Sequence, residues 1–117
     1  MIEKTVKVID REGMRVRRRH LISHTAESYN SDIVIEFKEN ENYCRTINVK
    51  SIMGMVALPA GYDMSFKIVI KGKDENEAAE AIVRLFEMDF EEICEIYYNM
   101  FQKEEEEKYL IECGQHK

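Results

Sequence analysis

The stretch Gly13-Met14-Arg15-Val16-Arg17-Arg18-Arg19-His20 places four arginines within five positions. A guanidinium stays charged at physiological pH, presents a fork of N–H donors and has no lone pair to offer, so such a cluster recognises anions and does not act as a nucleophile. Ser51 offers a different chemistry. It stands directly before the apolar segment Ile52-Met53-Gly54-Met55-Val56-Ala57-Leu58, where an N-cap hydroxyl meets the first free amides of a short helix. A phosphate added there would gain from those amides and the helix dipole while bringing about −1.5 to −2 of charge. An ordinary N-cap is the alternative reading of this serine. His20 and His24 lie four apart, a spacing at which two imidazoles can share a metal. No carboxylate or thiol stands beside them at ligand spacing, and the pair reads as coincidence. Cys44, Cys94 and Cys113 are odd in number, widely spaced and without a C-x-x-C, which argues for reduced thiols over a disulfide framework or zinc site. No cofactor or metal is expected.

The elements that must position these residues follow from hydrophobic periodicity. Residues 3–9 set Val6 and Val8 against Thr5 and Lys7, as in a half-buried strand. After a turn at Arg11-Glu12-Gly13, Val16, Leu21, Ile22, Thr25, Ala26 and Tyr29 fall at helical spacing, with the arginines at the helix start. Ile33, Ile35 and Phe37 alternate in a second strand, which a polar loop at residues 38–42 joins to a third at about Tyr43–Val49. Ser51 then caps two helical turns that Pro59 and Gly61 close. Met64, Phe66, Ile68 and Ile70 point inward from a fourth strand, and Ala78, Ala81, Ile82, Leu85 and Phe86 mark an amphipathic helix with an acidic first turn. The apolar period continues through Phe90, Ile93, Tyr97 and Phe101, so this helix runs on or restarts before Glu104-Glu105-Glu106-Glu107. The pattern is α+β: a four-stranded antiparallel sheet covered by three helices on one face, plus a C-terminal helical extension.

The 117 residues, 44% hydrophobic, suit one compact unit with an appendage. No apolar run has the length of a signal peptide or membrane span, which predicts a cytoplasmic protein that does not meet a membrane. The net charge is −6, yet residues 1–86 carry 14 Lys/Arg and 13 Asp/Glu, while residues 87–117 carry 3 and 10. The acidity therefore belongs to the tail. With a nearly neutral body and no aromatic stacking surface beside the arginines, direct nucleic-acid binding is not expected.

Asn48-Val49-Lys50-Ser51-Ile52-Met53-Gly54 resembles the regulatory-serine segment, N-x-K-S-I-M-G, of the HPr family, the histidine-containing phosphocarriers of the bacterial sugar phosphotransferase system. The likeness covers roughly residues 2–88, including the element order and the segment Gly72 to Ile82. The family hallmark G-[LI]-H-A-R-P-A falls without a gap on Gly13 to Arg19. Gly13 and Arg17 match, whereas Arg15 replaces the phosphorylatable histidine and Arg18 the proline. Loss of the histidine with retention of the serine resembles the Crh group within the family. Departures from the family pattern fall at Lys38 to Tyr43, at Leu58-Pro59-Ala60-Gly61 and after Met88.

The resemblance implies an HPr-like open-faced sandwich at residues 1–88 and an acidic, helical extension at 89–117. It implies a non-enzymatic regulatory protein of carbon catabolite control, phosphorylated at Ser51 by HPr kinase/phosphorylase, with catabolite control protein A or another regulatory protein as partner. With Arg15 at the histidine position there is no catalytic residue and no phosphotransfer. Partner contacts are expected at Ile52, Met53 and Val56, with core packing as the alternative for Ile52 and Met53, and at the cluster Arg15, Arg17, Arg18 and Arg19. The anion met by that cluster is an acidic partner, a phosphoserine in trans or the glutamate-rich tail folding back, with a solvated cluster that holds no ligand as the alternative. Two other readings stand beside this one: a binding or decoy module never phosphorylated, and a carrier using a displaced histidine. A homodimer is compatible with the sequence.

Overall fold

The computed structural model describes residues 1–102; the Glu104–Glu107 run, Cys113 and the chain end lie outside the described residues. Four strands, β1 (Ile2–Lys7), β2 (Asp32–Asn40), β3 (Tyr43–Asn48) and β4 (Ser65–Lys71), form one antiparallel sheet in the order β1-β4-β2-β3. The register brings Val6 opposite Phe66, Ile35 opposite both Ile68 and Ile47, and Ile33 opposite Ile70. Because side chains alternate along a strand, that pairing puts these seven residues on one face, where all are buried. The other face is polar, with Lys67 between Glu3 and Glu36 at 3.3 and 3.9 Å. Three helices, α1 (Val16–Glu27), α2 (Ile52–Ala57) and α3 (Glu75–Glu87), contribute Leu21, Ile22, Ala26, Met55, Ala78, Ile82 and Phe86 to the same core.

Three local expectations are corrected and one open choice is resolved. The strand before the hairpin continues to Asn40, and only Glu41-Asn42 turns, because the Asn40 side-chain oxygen accepts the Asn42 amide at 2.9 Å and closes the turn locally. Val16 is 63% exposed, and the inward position in the first turn of α1 belongs to Arg18. Met64 precedes β4 and is exposed, with its sulfur 3.2 Å from the Gly61 amide. The final helix restarts: Met88 and Asp89 are extended, and the Asp89 carboxylate caps α4 (Phe90–Tyr97) by accepting the Glu91 amide at 3.2 Å. A π-helical turn, Tyr98–Gln102, follows. Ile93 returns α4 to the domain core, with none of its surface exposed.

Gly13 fixes the entry to α1. Its φ of +86° suits a residue without a Cβ, and a Cβ there would stand 3.0 Å from the Ala60 carbonyl oxygen. The close approach lets the Met14 amide donate to that same carbonyl at 2.8 Å, which ties the loop after α2 to the start of α1.

Candidate functional site at the ends of α1 and α2

The four arginines diverge. Arg18 is 1% exposed: Nε and Nη2 donate to the two Asp10 carboxylate oxygens at 2.8 and 2.9 Å, and Nη1 donates to the Leu85 carbonyl at 2.7 Å. Arg19 donates to the carbonyls of Met14, Met55, Val56 and Leu58 at 2.5–3.0 Å, binding α1 to the end of α2. Burial lowers its pKa from the ordinary arginine value. The expected four-arginine surface is therefore corrected. Two members satisfy carbonyls and a carboxylate inside the fold, as buried or half-buried guanidinium groups must. The spacing held a signal for this, since Arg18 lies on the same stripe of α1 as Leu21 and Ile22.

Arg15 and Arg17 remain exposed. Arg15 is the N-cap residue of α1 and makes no side-chain cap; it pairs with Glu12, and its guanidinium lies 5.5 Å from the Phe90 ring centroid. A cleft of about 350 Å³ opens there, lined by Asp10, Arg11, Glu12, Arg15 and Phe90. Two carboxylates among those walls oppose a free anion. Arg17 Nη1 is 3.6 Å from the Cys94 sulfur, and its guanidinium is 5.9 Å from the Tyr97 centroid. The helix that approaches this end of α1 thus does so with rings and a thiol, whereas the glutamate run lies outside the described residues.

His20 and His24 touch the same extension, His20 half-buried and His24 exposed. The His20 Nδ1 is 3.1 Å from the Tyr97 hydroxyl, its ring stacks on Phe101 at 4.6 Å, and His24 meets Phe101 edge-on at 5.0 Å. Among the described residues, no group of three or more His, Cys, Asp or Glu side chains is placed to hold a metal. Sequence reasoning missed this ring cluster, because a continuing apolar period does not say against which helix it closes.

α2 presents the opposite character. The Ser51 hydroxyl accepts the Gly54 amide at 3.1 Å, as an N-cap should, and the serine is exposed. Of the apolar residues that follow, Met55 is fully buried, but Ile52, Met53 and Val56 are 41%, 82% and 51% exposed. These three are not core. The segment before Ser51 is held in place: Ser23 donates to the Lys50 carbonyl at 3.1 Å, Lys50 Nζ to the Tyr29 carbonyl at 2.8 Å, and the Val49 amide to Ile33 at 3.0 Å. Asp74, which precedes α3, anchors the loop after α1. It accepts the Ser31 hydroxyl and the amides of Asn30 and Ser31, and these bonds hold its pKa below the ordinary carboxylate value.

The fold and these two helix ends define a small open-faced α+β sandwich with a capped serine and an arginine-flanked helix start. The family model described as the PTS HPr component phosphorylation site matches residues 2–88. The phosphocarrier protein HPr of Treponema pallidum is 39% identical over 92 residues, covering 79% of this chain and 99% of its own length. The HPr-like protein Crh of Halalkalibacterium halodurans is 34% identical over 89 residues, covering 76% and 100%. Among solved structures, HPr from Bacillus anthracis superimposes with a TM-score of 0.61 at 32% identity, covering 72% of this chain and 94% of its own. The chain belongs to the HPr family.

No helix among the described residues is long and apolar enough to cross a membrane.

Proposed function

We propose that this chain is a non-enzymatic, HPr-like regulatory protein of carbon catabolite control, switched by phosphorylation of Ser51 and unable to carry phosphate at the start of α1. The observation that carries the reading is the exposed Ser51 cap beside the apolar trio Ile52, Met53 and Val56. A kinase needs a reachable hydroxyl, and a partner that reads the phosphate needs an apolar seat next to it. At Arg15 a guanidinium stands where a carrier needs an imidazole nitrogen that accepts and releases a phosphoryl group. The displaced-histidine reading is less well supported, since the His20 Nδ1 is engaged by Tyr97. The domain is residues 1–88, with 89–117 as its appendage. The partners in this reading are an HPr kinase/phosphorylase and a regulatory protein such as catabolite control protein A, which the chain meets through Ile52, Met53, Val56 and the exposed Arg15 and Arg17. A second copy is also supported, since Bacillus subtilis Crh, at 26% identity and a TM-score of 0.55, forms a swapped dimer.

Intact mass and peptide mapping after incubation with ATP and an HPr kinase tests the proposal. One phosphate on the native chain and none on Ser51→Ala is the expected result. No phosphate on a folded chain, with a control HPr fully modified, would leave an unphosphorylated binding module.

A further inference from the structure

We propose that Arg19 and Ser23 of α1 are positioning residues: a two-point clamp that holds α2 at both ends and so presents Ser51, Ile52, Met53 and Val56 as one preset surface. The clamp follows from geometry, whereas its use by a kinase rests on the Ser51 reading. α2 needs such support. It has six residues, and a helix that short persists only where tertiary contacts hold it. Met55 is its only buried residue. No glycine closes its far end, because Leu58 at the C-cap is extended, as a residue before proline should be. Among the described residues positive φ occurs at Gly13, Asp63 and Gly72, away from that end.

α1 supplies what α2 lacks. Arg19 and Ser23 stand four apart and share one stripe of the helix. Arg19 Nη1 donates to the carbonyls of Met55, Val56 and Leu58, where the helix leaves carbonyls without partners and a cation meets the negative end of its dipole. Arg19 Nε donates to the Met14 carbonyl at 2.8 Å, which fixes the guanidinium from the α1 side. Ser23, 2% exposed, donates to the Lys50 carbonyl at 3.1 Å, one residue before the Ser51 cap. One stripe of α1 therefore grips α2 at its start and at its end. Arg19 stands at the last position of the family hallmark, where the pattern has alanine, a side chain without a donor. Leu58, whose carbonyl it reaches, opens the segment Leu58 to Gly61, another departure from that pattern, so the two departures meet in one hydrogen bond. Loss of either tie leaves α2 to move about Met55, and a surface correctly placed in about a tenth of molecules binds its partner about tenfold more weakly.

The full chain is compared with Arg19→Met, Arg19→Lys and Ser23→Ala at a temperature where circular dichroism shows each folded, and Ser23→Ala serves alone if the Arg19 variants do not fold. Amide exchange at Gly54 and Met55, whose N–H groups donate to Ser51, should quicken about tenfold in Arg19→Met and Ser23→Ala, while exchange at Ile35 and Ile68 in the sheet changes by less than about twofold. With ATP and an HPr kinase, KM for these variants should rise about tenfold and kcat stay within about twofold, because the Ser51 hydroxyl is untouched and only its placement is loosened. Arg19→Lys, which keeps a cation and donors but not the planar fork, should fall between. Unchanged exchange in α2 would overturn the clamp, as would a rise shared equally with the sheet, which marks a general loss of stability. Faster exchange in α2 with an unchanged KM would overturn the positioning role. A kinase that leaves every form unmodified, the native chain included, would count against the Ser51 reading, and exchange in α2 against the sheet then decides the clamp by itself.

Discussion

Arg18 and Asp10, eight residues apart, meet through two parallel hydrogen bonds of 2.8 and 2.9 Å, with the arginine side chain 2% and the aspartate side chain 12% exposed. The pair fastens the chain entering α1, and its third bond, to Leu85, fastens the end of α3. Removing one member of a buried pair strands the other charge, at a cost of about 3–5 kcal/mol. Arg18→Ala should therefore lower the urea-unfolding free energy by about that much, whereas Val16→Ala, at a 63% exposed site, should stay within about 0.5 kcal/mol. Similar small losses for both would return Arg18 to the surface.

The Ser51 cap has a stability signature separate from any kinase. Ser51→Ala should cost about 1 kcal/mol and speed amide exchange at Gly54, whose N–H the hydroxyl accepts, while Ser51→Asp should keep the cap. Unchanged exchange at Gly54 in the alanine variant would contradict the capping bond.

Neighbouring methionines should separate core from surface. Met55→Ala, at a fully buried site, should cost about 2–5 kcal/mol, and Met53→Ala, 82% exposed, less than about 0.5 kcal/mol. Titration with an HPr kinase should show the reverse order of importance, with Met53→Ala weakening binding by more than about 1 kcal/mol. Full affinity in Met53→Ala would place the partner elsewhere.

Asp74 should leave a mark in acid. The Ser31 hydroxyl first, then the Asn30 amide, favour its charged form, so its pKa in the folded chain is lower than when unfolded. Such a group stabilises fully above the unfolded carboxylate value of about 3.9, and the contribution is lost as pH falls through the folded value. The Tm difference between the native chain and Asp74→Asn should be widest near about pH 6 and narrow below about pH 4. A difference that does not vary with pH would show that the charge is not the anchor.

Much of this protein was legible without coordinates, because period-2 and period-3.6 patterns are local and the core is built from them. Ile33, Ile35 and Phe37 alternate as expected, Ser51 caps α2, and Ala78, Ile82 and Phe86 line the inner face of α3. The run Asn48 to Gly54 also carried the family. What only the tertiary structure decided is where side chains that are polar at one end and long in reach come to rest. Arg15, Arg17, Arg18 and Arg19 are alike as side chains, and the spacing marks only Arg18, on the stripe of Leu21 and Ile22, as inward. Yet the turn of α1 aims Arg18 at Asp10 and Leu85, and Arg19 at the end of α2, leaving two for the surface. Likewise Phe90, Ile93, Tyr97 and Phe101 announced a helix, but not that it would pack against α1. The reason is the same in both cases: hydrophobic spacing specifies which face is buried, while the partner of that face is set by chain segments tens of residues away.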